Sequence, residues 1–312
     1  MSEHRKIAVI GAGHVGSHCA QALCWRWCAQ EIVLIDKEKE KAIAQAMDIA
    51  DSLSFPAADI TVRAGDYADC ADADLIFVAI GKARLPGQTR LDLLGDSVKM
   101  AKELIGQLSP YSLRGIVVSI TNPADIIADY LRKGLHLPRN QVFSTGTLLD
   151  TARLIRTIAE KTGMSRQAVT AFSLGEHGDS SMLPFSAIRI GGLPLEAYPM
   201  VNRAELLERT HGIGMDIING KGSTEFGIGQ SAAFLADAIL RDRKAVLPVS
   251  VQLCGEYGQK DVSCGVPCVI GKSGVEKIIE LPLTPDEQEQ LQASCDVIRK
   301  HIALAEQIAP LD

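Results

Sequence analysis

The apolar run Lys6 to Ile10 (KIAVI) passes directly into Gly11-Ala12-Gly13-His14-Val15-Gly16, and this junction narrows the choice of folds more than any other stretch. A short, continuously apolar segment predicts a parallel strand buried on both faces. The residues after Gly16 predict a helix through about Cys28, and Glu31 to Ile35 a second strand ending at Asp36. Alone, a G-x-G-x-x-G pattern also suits a tight strand-to-helix turn with no ligand. Here the strand, the helix and an acid 20 residues beyond the last glycine are all in place, which is the context of a dinucleotide site. The glycines let the backbone approach a pyrophosphate at a helix N-terminus, where unpaired N–H groups and the helix dipole favour anions. A carboxylate at Asp36 suits ribose hydroxyls and repels a 2′-phosphate. The expected cofactor is therefore NAD, bound by Gly11, Gly13, His14, Val15, Gly16 and Asp36.

The same rhythm continues. Residues 37 to about 53 read as a helix, 60–63 and 75–80 as strands, 92–108 as a helix and 115–120 as a strand; a helix resumes at Ala124 and a strand begins at Val142. This alternation predicts an α/β fold, a Rossmann-type doubly wound parallel sheet over residues 1–145. Ligands in such sheets sit at the carboxyl ends of the strands, which brings Gly11, Asp36, Gly81 and Asn122 to one cleft. Segment 82–90 is polar, contains Pro86-Gly87 and adjoins Gly81. It has the make-up of a mobile lid that carries cations over a substrate, although a solvated basic loop has the same composition.

From residue 146 the pattern changes to a mixed α+β lobe reaching residue 312. Strands are expected over 169–174, 184–190, 246–253 and 266–270, and helices over 202–219 and 228–240. A final helix should start at Thr284-Pro285, a strong N-cap with proline at the first position, and run to about Ile308. In Gly146-Thr147-Leu148-Leu149-Asp150-Thr151-Ala152-Arg153, Asp150 and Arg153 lie three apart on one helix face. A surface ion pair is the plain reading. Their apolar neighbours argue instead for a buried setting, where each charge needs a further partner. The stretch Ser173-Leu174-Gly175-Glu176-His177-Gly178-Asp179-Ser180 holds one such partner. A lone histidine is more often a surface or satisfied core residue. His177, at the end of an apolar run and flanked by small residues, is placed to serve as a general acid and base near neutrality.

Composition removes several other classes. A net charge of -6 with no basic cluster argues against a nucleic-acid partner. No apolar run approaches the ~20 residues of a membrane span, and no export signal precedes the first strand, so a cytoplasmic protein is expected. Eight cysteines without an export signal read as free thiols. Cys264 and Cys268 have a spacing that suits a metal, but no second pair lies near them in sequence, and no metal site is expected.

Taken in order, GAGHVG, Asp36, PGQTRLD, TNPAD, GTLLDTAR, GEHGDS and KGST resemble the lactate/malate dehydrogenase family over essentially the whole chain. The resemblance implies an NAD-dependent L-2-hydroxyacid dehydrogenase that works on a small 2-oxo or 2-hydroxy acid, as a homodimer or homotetramer. It gives His177 the proton transfer at the substrate oxygen, Asp150 the orientation of the imidazole and Arg153 the substrate carboxylate. Arg90 would close with the lid and stabilise charge on the carbonyl oxygen, while Asn122 and Thr224 wall the site. At the lid position that discriminates the substrate side chain, lactate dehydrogenases usually carry Gln; this chain has Arg84, as malate dehydrogenases do. A guanidinium closed over the methyl group of pyruvate would be desolvated without a partner, whereas over oxaloacetate it gains one. Arg84 thus tips the expectation to malate, with lactate or another 2-hydroxy acid as the alternative. Many bacterial family members bind fructose 1,6-bisphosphate through cationic side chains where this chain has Ile155 and Thr170, so no such activation is expected. A non-catalytic NAD-binding subunit is a different class of function, but it would have no use for Arg90, Asp150, Arg153 and His177 together.

Overall fold

The computed structural model describes residues 4–55, 59–81 and 90–311, the side chains of 90–92 excepted. The first half of the chain runs β1 (Lys6–Ile10), α1 (His14–Arg26), β2 (Glu31–Ile35), α2 (Lys39–Ser52), β3 (Thr61–Ala64), β4 (Leu75–Val78), α3 (Arg90–Leu108), β5 (Ile116–Ser119), α4 (Ala124–Gly134) and β6 (Val142–Ser144). The six strands are parallel in the order β3-β2-β1-β4-β5-β6. Every residue of β1, β4 and β5 is buried, so apart from Lys6 and Ser119 at two strand ends these segments read as apolar runs rather than alternating ones. Neighbours β1 and β4 are separated in sequence by β2 and β3. The winding reverses between them, and the turns that follow them part to leave a crevice.

The second half continues with α5 (Leu148–Thr162), β7 (Val169–Thr170), β8 (Arg189–Ile190), β9 (Leu193–Pro194), α6 (Arg203–Lys221), α7 (Phe226–Leu240), β10 (Ala245–Cys254), β11 (Lys260–Gly271), β12 (Gly274–Ile278) and α8 (Pro285–Ile308). Strands β10 to β12 are antiparallel and extend the large sheet beyond β6, joined to it through Ser144 and Ser250. Strands β7 to β9 form a small separate sheet. It covers a second apolar cluster that includes Leu154 and Ile158 of α5, Leu183 and Ile188. Thr284 caps α8 in a reciprocal arrangement with Glu287, as the Thr-Pro-x-Glu spacing requires. Among the described residues no helix is long and apolar enough to cross a membrane.

Three expectations need correction. The strand expected over 169–174 pairs as a strand only at Val169–Thr170; at its end Leu174 makes an isolated bridge to Met182. The strand expected over 184–190 becomes a 3-10 turn at Phe185–Ala187 before β8, because the Glu287 carboxylate accepts from both the N–H (3.0 Å) and the hydroxyl (2.6 Å) of Ser186. A side chain there takes the place of a strand neighbour. Strand β11 begins six residues earlier than expected, and β12 was not anticipated; Gly271 and Gly274 bracket the hairpin turn between them.

Candidate active site

The glycine turn after β1 is shaped by its own packing. Gly11 has φ +101°, and a Cβ there would lie 2.4 Å from the carbonyl oxygen of Ala79; one on Gly16 would lie 1.7 Å from that of Gly11. The fold itself therefore forbids side chains at both positions. At Gly13 a Cβ would meet nothing within 4 Å. It caps α1 without any side-chain hydrogen bond, leaving bare backbone and a helix N-terminus facing open space, as an anionic ligand needs. Asp36, just past β2, lies beside this turn: its carboxylate accepts from the N–H of Ala12 (2.7 Å) and of Glu38 (3.0 Å). His14 is exposed and its Nδ1 lies 3.2 Å from Glu225, while Val15 packs against the main core. Gly81 and Asn122 are exposed at the ends of the segments that follow β4 and β5. Thr121 ties these two ends together by donating to Ile80 O (2.8 Å), and Ser97 donates to Asn122 O (2.7 Å). These positions fit the pyrophosphate and ribose of a dinucleotide.

Across the crevice, α5 presents Asp150 and Arg153. His177 Nδ1 lies 2.6 Å from Asp150 Oδ2, and Arg153 Nη1 donates to Asp150 Oδ1 at 3.1 Å. The second partner that each buried charge was expected to need is present for Asp150. The loop carrying His177 is pinned from several sides. The backbones of Gly175 and Gly265 exchange two hydrogen bonds, and Ser294 of α8 accepts from the Glu176 N–H (2.9 Å). Gly175 has φ +88°, and a Cβ on it would fall 2.4 Å from Ser294 Oγ. Glu176 turns away from the imidazole and accepts from the Ser180 hydroxyl (2.6 Å). The His177 N–H donates to Asp125 Oδ2 (2.8 Å), a carboxylate buried in the first turn of α4. Ser250 lies beside Asp125 without hydrogen-bond geometry.

The electrostatics follow from these contacts. The Asp150 charge raises His177 to a pKa of about 9 against the opposing effect of burial, with the Asp150 hydrogen bond and Asp125 adding to the rise. Burial pushes Asp150 up, but the charges of His177 and Arg153 prevail and hold it below the ordinary carboxylate range. Burial dominates at Asp125, which is pushed up to about 6. About a quarter of the His177 side chain (24%) stays exposed. With Nδ1 committed to Asp150, Nε2 is the nitrogen left for a substrate.

Models of two domains match the chain: the lactate/malate dehydrogenase NAD binding domain over residues 5–144 and the lactate/malate dehydrogenase alpha/beta C-terminal domain over 147–309. The chain belongs to the lactate/malate dehydrogenase family. It is an NAD-dependent oxidoreductase acting on a 2-hydroxy acid. L-lactate dehydrogenase of Priestia megaterium is 41% identical over 305 residues, 95% of each chain, and L-lactate dehydrogenase 3 of Bacillus anthracis 39% over 311 residues, 97% of this chain and 98% of that one. The minor L-lactate dehydrogenase of Enterococcus mundtii, in a ligand-bound crystal structure, superposes with a TM-score of 0.93 at 34% identity, covering 96% of this chain and 98% of that one. The lactate dehydrogenase of Cryptosporidium parvum, crystallised with lactic acid and NAD, gives 0.93 at 30% identity, covering 98% and 99%.

Not every expected residue of this dehydrogenase can be placed. Arg84 and the rest of 82–89 lie outside the described residues, as does the side chain of Arg90 at the start of α3. Thr224 is half-buried in the turn before α7. That helix starts over α5, where a Cβ on Gly227 would lie 3.0 Å from Leu149, next to Asp150. Four residues escaped the sequence reading. Asp125 stands in the TNPAD stretch, of which only Asn122 was singled out. Ser294 lies in the middle of α8. Glu225 follows Thr224 and reaches His14 and His18 of α1 at 3.2 and 3.9 Å. Gly214 of α6 lies against Arg153, whose Nη1 would be 3.3 Å from a Cβ there. Only Asp125 and Glu225 adjoin a motif that could have drawn notice to them.

Proposed function

We propose that this dehydrogenase interconverts pyruvate and L-lactate, with residues 1–145 holding NAD and 146–312 supplying the substrate chemistry. The contact between His177 and Asp150 carries the reading of the reaction, and the near full-length likeness to L-lactate dehydrogenases supports the choice of substrate. The glycine turn and Asp36 would hold the cofactor's pyrophosphate and ribose, with Gly81 and Asn122 beside the nicotinamide. When bound, the cofactor supplies or removes the hydride at the substrate's C2. With a pKa of about 9, His177 is an imidazolium at neutral pH and Nε2 is ready to give its proton to the carbonyl oxygen. In the oxidation the ring must first lose that proton, which costs about 2.7 kcal/mol at pH 7 for a group two units above the ambient pH. Asp150 holds Nδ1–H, fixes the tautomer and favours the charged ring. Arg153 keeps most of its donors for the substrate carboxylate, which it suits as a two-pronged partner. Arg90 would reach the carbonyl oxygen from the lid, and Asn122 and Thr224 would close the walls. The enzyme is expected to assemble as a homodimer or homotetramer, which sedimentation would establish.

A second reading, oxaloacetate and L-malate, is favoured by Arg84 alone. The two separate in kcat/KM for pyruvate and oxaloacetate at fixed NADH, measured on the native enzyme and on Arg84→Gln. If pyruvate is the substrate, Arg84 points out of the closed site and the substitution moves the ratio by a few-fold at most. If oxaloacetate is, loss of its charge partner shifts the ratio towards pyruvate by about 10²–10³ or more, since an unpaired buried charge costs roughly 3–5 kcal/mol.

A further inference from the structure

Helices α1 and α7 lie side by side, and both ends of the pair are built from charged residues. At the cofactor end, Glu225 meets His14 and His18, and Phe226 packs edge-on against His18. The far end carries a concavity of about 280 Å³ lined by Trp25, Arg26, Gln230, Asp237, Arg241 and Arg243. The 13 residues of α1 set this concavity about 20 Å from the glycine turn, so a bound cofactor leaves it open.

The charges there do not balance. Asp237 is buried, with 1% of its surface exposed, and faces three guanidinium groups: Arg243 Nε at 2.8 Å, Arg241 Nε at 3.1 Å and Arg26 Nη1 at 3.8 Å. One guanidinium neutralises one carboxylate, so two positive charges remain in a molecule whose net charge is -6. Nearby Lys244 adds little, being paired with Asp242 and Glu276. Hydrogen bonding tells the same story. Arg241 spends Nη2 on Trp27 O (2.9 Å), closing the C-terminus of α1. Arg26 stacks on Phe234 at 5.0 Å, and Arg243 Nε meets Asp237 Oδ2 as an ion pair without hydrogen-bond geometry. Among the described residues, neither Arg26 nor Arg243 donates a side-chain hydrogen bond from its Nη groups. A clamp between two helices needs one of these arginines; the other two present unspent, fork-shaped donors at the rim of a cavity.

We propose that this concavity binds a small dianion of the phosphate type, either orthophosphate or the phosphoryl end of a small phosphate monoester. Planar guanidinium forks match tetrahedral oxyanions through paired N–H donors. Asp237 sits at the floor and holds the arginines in place, while the Gln230 amide gives a neutral donor at the wall. Neither the glycine turn nor Ile155 or Thr170 lines the site.

Of the chain's two tryptophans, Trp25 lines this concavity and reports on it directly, while Trp27 adjoins it through its carbonyl, which accepts from Arg241. The full-length enzyme, with NAD saturating so that the glycine turn is filled, is titrated with sodium phosphate and in parallel with glycerol 3-phosphate, each against sodium chloride of equal ionic strength. Tryptophan emission and calorimetry are followed together. A saturable change with a midpoint of about 1–10 mM or below is expected, weakened about tenfold or more by Arg243→Gln and again by Arg26→Gln. Arg203→Gln, which alters a remote surface arginine, should leave it unchanged. Tighter binding of the monoester assigns the site to esters, and equal binding to free phosphate. No saturable signal in either measurement, or a midpoint unmoved in both arginine variants, overturns the proposal.

Discussion

Asp150→Asn keeps the shape of the side chain and removes the charge 2.6 Å from His177 Nδ1. That charge is the largest cause of the rise of His177 from 6.5 to about 9; burial works against it, and Asp125 contributes less. Without Asp150, burial and the Arg153 charge are opposed by Asp125 alone, and the histidine should return to about 6.5 or below. A fall of about 2.5 units corresponds to about 3.4 kcal/mol between the two protonation states. The sign for the reaction follows from which form each direction needs. Reduction of the 2-oxo acid uses the imidazolium, so its kcat/KM is level below the histidine's pKa and declines as the pH rises through it. Oxidation uses the neutral ring and behaves in the opposite way. In the variant the decline for reduction should move from about pH 9 to near 6.5. At pH 7.5 most of the ring is then neutral and less well oriented, and kcat/KM should fall about 10²–10⁴-fold, the range typical of general acid catalysis. The assay is NADH loss with the 2-oxo acid across the whole pH range, together with NMR titration of the labelled imidazole in the free enzyme. An alkaline decline that stays near pH 9 in the variant refutes the argument, because Asp150 would then not set the protonation of His177.

Asp125→Asn retains an acceptor for the His177 N–H but not the charge, so the alkaline decline should drop by about one unit or less, and Asp125→Ala should additionally raise the substrate KM as the loop loses its anchor. A pH profile identical to the native one in both variants would remove Asp125 from the site. Asp36 favours NADH over NADPH by at least about tenfold in kcat/KM, or 1.4 kcal/mol, and comparable values would mean that Lys37 or Lys39 receives the 2′-phosphate. Fructose 1,6-bisphosphate should change neither the KM nor the assembly state, since Ile155 and Thr170 offer no cation; activation abolished by altering Arg156 would show that this neighbour, which lies 3.9 Å from Glu160, has rebuilt the site.

The parallel half of the sheet was legible because burial on both faces favours unbroken apolar runs: β4 is apolar throughout, and β1 and β5 depart from that only at an end, at Lys6 and Ser119. Apolarity was a poorer guide beyond residue 168. Val169, Ala171 and Leu174 are all buried, yet only the first belongs to a strand: Val169 and Ala171 share an apolar cluster with Leu154 and Ile158 of α5, and Leu174 belongs to the main core. The backbone groups that a strand would have paired are met by side chains: Thr151 accepts from the Ser173 N–H and Thr147 donates to Ser173 O. A run of hydrophobic residues reports that a segment is buried and says little about what satisfies its hydrogen bonds.

The site divides along a similar line. Asp150 and Arg153 were readable because one helix turn brings them to the same face, and the glycines at 11, 13 and 16 because a single turn contains them. Asp125 depends on a contact 52 residues away. On the sequence it is an acid in the first turn of a helix, which the helix dipole accounts for without any further role. Its burial is the clue, since a carboxylate with 1% exposure must find donors inside the protein. The donor it finds is the backbone N–H of the histidine whose charge it helps to sustain. Position and electrostatics of His177 are therefore held by two separate acids: Asp150 fixes the ring and Asp125 the main chain that carries it. A pattern search finds the first, because it lies on the same helix face as Arg153. The second follows only from where the fold sets the start of α4 against the loop after Gly175.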